Sequence, residues 1–236
     1  MLFDLRGRGR RRAIQVIYAA LALLMGGGLI FFGIGGNTSG GLFDAFKSNG
    51  STVSNEQAFK KRLDGLDRRI RVNPKDARAW ADLAALRFQV ATTGTGYDQT
   101  TQTYTDQGKA ELRQAETAWD RYLALNPKQP DDTVANQMIR AFGPAGLQVY
   151  DKAVGAMEIV IASRPPSAAL YANLAILAHA AKQDRKSTLA QGKAEDLATS
   201  SAERKQITQS IQGAEAQIDA QATSAQGTTT TTSPGG

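Results

Sequence analysis

The first strongly patterned polar stretch carries apolar residues at Phe59, Leu63, Leu66 and Ile70. Intervals of three and four place them on one face of a helix. Asn73-Pro74 must stop that helix, because proline pushes the residue before it out of helical backbone. Asp76 then caps a second helix whose apolar face is Trp80, Leu83, Ala84 and Phe88. No window sustains a period-two alternation between turn signals, so the pattern predicts helix, tight turn, helix, and no sheet.

A different pattern precedes this one. From Ala13 to Gly36 there is no charged residue, and IQVIYAALALLMGGGLIFFGI is apolar apart from Gln15 and the glycines. At ~1.5 Å rise per residue the run covers roughly the 30 Å hydrocarbon thickness of a bilayer, so it predicts a transmembrane helix. A cleaved signal peptide would have a shorter apolar core, about 7 to 15 residues, and an A-x-A-like site. The run is instead followed by GIGGNTSGG. Five arginines stand before it (Arg6, Arg8, Arg10, Arg11, Arg12), whereas the first charges beyond it are Asp44 and Lys47. The positive-inside rule then places the N-terminus in the cytoplasm and the rest of the chain outside.

These patterns divide the chain into a basic arm (1–12), a membrane span (13–35), a Gly/Ser-rich linker (36–53), a helical domain (54–222) and a Ser/Thr-rich disordered tail (223–236). The fold class predicted is all-α. Ser54 and Gln57 have the spacing of a capping box and are expected to open the domain. After Lys182 a long helical region is expected to run to about Ala222, with Ile207, Ile211, Ala214 and Ile218 as an apolar seam.

The chain also repeats itself. RVNPKDARAWADLA is echoed by ALNPKQP and by SRPPSAALYANLA. This spacing resembles the tetratricopeptide repeat, a helical hairpin of 34 residues. With Pro74 closing one hairpin, Trp80, Leu83 and Ala84 fill the large, leucine and small positions of the next first helix. Counting back from Pro127 puts Ala115 and Trp119 at the small and aromatic positions of a second helix, with Tyr122 a turn later. After Pro165 the same count reaches Tyr171, Leu174 and Ala175, while Ala153, Met157 and Val160 fit a second helix. The middle first helix (Val134, Met138, Phe142) matches poorly and ends at Gly143-Pro144. Pro74 and Pro127 are 53 residues apart, so an insertion is assigned to Thr92–Gly108, which lacks apolar periodicity. The resemblance implies a helical-hairpin solenoid in which small residues let helix axes approach and the terminal helix caps the last repeat.

Charge and chemistry narrow the function. The net charge is +6, of which the first twelve residues hold +4. The remainder is nearly balanced, so the arginine cluster reads as a topology signal at anionic headgroups, not a nucleic-acid footprint. Cysteine is absent, which removes thiolate catalysis, disulfides and Cys-ligated zinc. His179, the sole histidine, lies in ILAHAAK with no G-x-S-x-G elbow. Carboxylates alternate with Lys and Arg at helical spacing, the pattern of a solvated face. No enzyme, cofactor or metal site is expected. The resemblance implies instead a protein-binding scaffold, anchored through 13–35, whose groove is lined by first helices. Asp82 and Asn173 would point into that groove, with Arg78 and His179 nearby. The polypeptide partner would belong to a secretion, folding or envelope-assembly complex. A structural envelope component, forming homo-oligomers through the terminal helix, is the alternative.

Overall fold

The computed structural model describes residues 52–227; the basic arm, the expected membrane span, nearly all of the linker and the end of the tail lie outside the described residues. Eight helices are described: α1 Thr52–Val72, α2 Ala77–Thr92, α3 Asp106–Ala124, α4 Asp132–Phe142, α5 Tyr150–Ser163, α6 Ala168–Ala180, α7 Asp184–Asp196 and α8 Ser201–Gly227. The domain is all-α apart from one two-residue ladder. Among the described residues, no helix is long and apolar enough to cross a membrane.

Three pairs pack as hairpins, α2 with α3, α4 with α5 and α6 with α7, and α1 and α8 pack at the two ends of this series. First helices also meet: α2 packs on α4, and α6 on α8. Two apolar clusters result. The larger joins α2, α3, α4 and α5 around Trp119, Leu112, Met138 and Phe142. The smaller joins α5 to α8 around Val154, Leu174, Ala175 and Ile211. Ile139, Leu170 and Leu177 touch both clusters, so the core is continuous.

The starts of the helices are set by local chemistry. Asp76, Thr105, Asp131 and Ser167 each accept a hydrogen bond from a backbone N–H of the first turn they cap, satisfying donors that a helix start otherwise leaves orphaned. The link between Pro74 and Trp80 is also local: the indole Nε1–H donates to the Pro74 carbonyl at 2.9 Å. Trp80 is thereby a turn brace and stays half-buried, whereas Trp119 is 1% exposed.

Three expectations need correction. The insertion is not without a sheet, because Tyr97–Asp98 pairs antiparallel with Thr103–Tyr104, in the register Tyr97 to Tyr104. Two residues per strand are too few to display an alternation. Helix α1 begins at Thr52, so Ser54 lies inside it and is not its cap. The long C-terminal helix is broken between α7 and α8. There Ser200 Oγ accepts from the Glu203 N–H, while Glu203 accepts from the Thr199 N–H. The sequence is that of a capping box, with the return bond one residue earlier, and it starts a new helix.

Close backbone contact also fixes the insertion to α3. A Cβ at Gly108 would fall 1.9 Å from the carbonyl oxygen of Gly96, which is backbone and cannot rotate away. Gly108→Ala is therefore expected to destabilise the domain by about 1 to 3 kcal/mol. Trp119→Ala should cost about 3 to 5 kcal/mol. Trp80→Ala should cost less, about 1 to 2 kcal/mol, since it removes one hydrogen bond and partial burial. Urea unfolding followed by circular dichroism ranks the three; equal losses for the two tryptophans would refute the brace.

Candidate functional site

The four residues expected in the groove divide between two helices. Arg78 and Asp82 lie on α2, Asn173 and His179 on α6. They do not form one cluster.

Around α2 the charges form a chain. Arg69 of α1 donates from Nε to Asp76 Oδ2 at 2.6 Å and from a terminal nitrogen to Asp76 Oδ1 at 3.2 Å, a two-point grip. Arg69 also lies 3.8 Å from Asp82. Arg78 donates to Asp82 Oδ1 at 3.1 Å and stands 3.9 Å from Asp131, the cap of α4. Asp76 is held below the usual aspartate range, first by the Ala79 N–H and then by Arg69. This chain links the starts of α2 and α4 to the end of α1. Exposed pairs of this kind add little stability, so the main consequence of the chain is alignment. A shallow cleft beside it is lined by Ala77, Ala81, Tyr122, Pro127, Gln129 and Asp131.

Farther along α2, the Arg140 guanidinium of α4 lies 4.9 Å above the Phe88 ring. That cation–π contact was not legible in the sequence, because its partners are far apart along the chain. Gln89 on α2 and Gln137 on α4 each bury a side-chain oxygen without a hydrogen-bond partner among the described residues.

On α6 the two candidates differ. Asn173 is half-buried and its amide has no partner among the described residues. An amide both donates and accepts, so it can pair with either backbone group of an extended peptide. His179 is engaged: its Nε2 lies 3.0 Å from Asp219 Oδ1 and its Nδ1 3.8 Å from Glu215, both on α8. Lys182 approaches the same Asp219 at 3.6 Å. Terminal helix α8 thus covers the histidine. Ser187 of α7, buried, has its hydroxyl 2.9 Å from the Ala175 carbonyl and 3.1 Å from Glu215, tying three helices together.

The positions assigned to the repeat pattern pack as follows. Ala84, Ala115, Ala153 and Ala175 are fully buried, Leu83, Leu174 and Trp119 are buried, and Tyr171 and Pro127 are half-buried. Ile211 of the apolar seam is fully buried and Ile207 packs beside it, both within the α5–α8 cluster. Among the described residues no group of three or more histidines and carboxylates is placed to hold a metal ion.

Polar contacts add to the apolar grip on α8, and they give its docking a pH dependence. Hydrogen bonding by His179 lowers the Asp219 carboxyl below its ordinary range, and Thr199 does the same for Glu203. A carboxyl lowered in the folded state adds stability that is complete above its unfolded value, about 4. That stability is lost as pH falls through the lower folded value. Acidification should therefore release α8 before the α2–α3 hairpin, which is held by far more buried apolar surface. Amide NMR across an acid titration measures the order; α8 remaining ordered until the whole domain unfolds would contradict it.

No protein-family model, curated protein or solved structure matches this chain.

Proposed function

We propose that this chain is a membrane-anchored, non-enzymatic scaffold whose helical domain is a tetratricopeptide-like solenoid that binds a partner polypeptide. Residues 13–35 form the anchor, the basic arm lies in the cytoplasm and the helical domain lies outside, where secretion, protein folding or envelope assembly would supply the partner. The observation that carries this reading is the way the hairpins succeed one another. Each buries one face on its neighbours through small residues, Ala84 in α2 and Ala175 in α6, while first-helix residues Ala85, Asn173 and Ile176 stay partly open. Successive packing of this kind is how repeat proteins make an extended binding surface. Asn173, with an unpaired amide, is the residue most suited to grip a peptide backbone, and Arg78 with Asp82 offers charge at the other end.

The alternative is an envelope component that assembles through its terminal helix. The burial of Ile211, with Ile207 beside it, weighs against it, because that half of the seam already packs within one chain.

A photocrosslinking residue placed at Asn173 in the full chain, in its own membranes, should capture another polypeptide. The same residue at Lys193, exposed on α7, should not. Asn173→Ala should weaken the captured complex about fivefold, the effect of one hydrogen bond. Equal capture from both positions would refute the groove, and capture of only the chain itself would favour self-assembly.

A further inference from the structure

Helix α1 has two opposed stripes. Phe59, Leu63, Leu66 and Ile70 face the domain, with Phe59 buried and the other three packed against the larger cluster. Gln57, Lys61, Asp64, Arg68 and Arg71 form the opposite stripe, flanked by Lys60, and all are exposed. Lys60, Lys61, Arg68 and Arg71 make no ion pair among the described residues. On the rest of the domain, Arg87, Lys152, Arg164 and Lys186 are held in ion pairs with carboxylates of neighbouring helices.

The charge of the chain is polarised accordingly. Residues 56–75 hold seven basic and three acidic side chains, whereas residues 76–236 hold fifteen basic and seventeen acidic. Val72, at the end of the same outward face, is 87% exposed, the most open of the large hydrophobic residues described. A basic stripe close to a membrane span is attracted to anionic lipid headgroups, by about 1 kcal/mol for each Lys or Arg at the surface.

Position supplies the occupant. Residues 36–51 separate the expected span from α1, and a Gly/Ser-rich stretch of that length reaches about 20 to 24 Å root mean square. Tethering at that distance gives millimolar effective concentration, so even weak attraction suffices. We propose that the outward face of α1 docks on the anionic surface of the membrane that holds the anchor, bringing the basic end of the domain to the bilayer. The proposal rests on the anchored reading above.

The test uses the full chain in nanodiscs of phosphatidylcholine, with or without phosphatidylglycerol. Because the chain has no cysteine, Gln57→Cys takes a single fluorophore on the outward stripe, and Gln212→Cys, exposed on α8, takes one as reference. Energy transfer to an acceptor in the headgroups should rise with phosphatidylglycerol at Gln57→Cys and not at Gln212→Cys. Each of Lys61→Gln, Arg68→Gln and Arg71→Gln should lower the docking equilibrium constant about fivefold. Molar salt, which shortens screening to about 3 Å, should abolish the rise without any substitution.

If the chain is retained by the discs but transfer at Gln57→Cys ignores lipid charge, docking is overturned and the anchor stands. If phosphatidylcholine discs fail to retain the chain, the anchored reading falls and takes this proposal with it. Binding of polyglutamate by the disc-held chain, with no rise in transfer at Gln57→Cys on phosphatidylglycerol, would assign the face to a soluble acidic partner and overturn the lipid proposal.

Discussion

Close approach of helix axes is the constraint on which the rest of this structure depends. Fifteen of the 31 buried apolar residues among those described are alanine, so the core is built less by filling volume than by removing it at the contacts. Ala84, Ala115, Ala153 and Ala175 each have no exposed surface, and a larger side chain at any of them would force the helices apart. The few large residues, Trp119, Leu112, Met138 and Phe142, fill the gaps that such approach leaves. This division of labour leaves parts of α2 and α6 only half covered, and the proposed binding surface consists of those parts.

Polar joints between neighbouring hairpins keep that packing aligned. Lys152 of α5 bonds Glu116 and Asp120 of α3 at 2.6 and 2.7 Å. Burial works to lower the lysine's pKa, but the two carboxylates together outweigh it and hold the ammonium above its ordinary value. Lys186 with Glu158 and Gln183 with Asp151 repeat the arrangement at the next joint, whereas Arg164 with Asp132 ties the two helices of one hairpin together. Exposed pairs add little stability individually. Their recurrence at both joints, between α3 and α5 and between α5 and α7, favours one register of each hairpin against the next.

Features that act within a turn or two were legible in the sequence. The face of α1, the stop at Asn73-Pro74, the cap at Asp76 and the alanine positions all follow from local spacing. Even α4, whose Val134, Met138 and Phe142 match the repeat poorly, is a helix with those three residues buried. The Ser200/Glu203 capping box was also local, but the heptad seam beyond it suggested uninterrupted helix and masked the break. Partnerships across the chain were not legible. His179 meets Asp219 forty residues away, and no local spacing announces that α8 will cover it. Of the candidate residues on α6, Asn173 stands partly open and His179 belongs to the terminal joint.

Both the scaffold and the docking of α1 depend on one proposition, that the helical domain is tethered at the outer face of a membrane by the apolar run before it. The arginines ahead of that run and the balanced charge beyond it carry the proposition. Protease added to intact cells or spheroplasts, with a tag at Met1, measures it directly. The account predicts digestion of the helical domain and survival of the tag. Protection of the helical domain in intact cells, with digestion only after lysis, would contradict it.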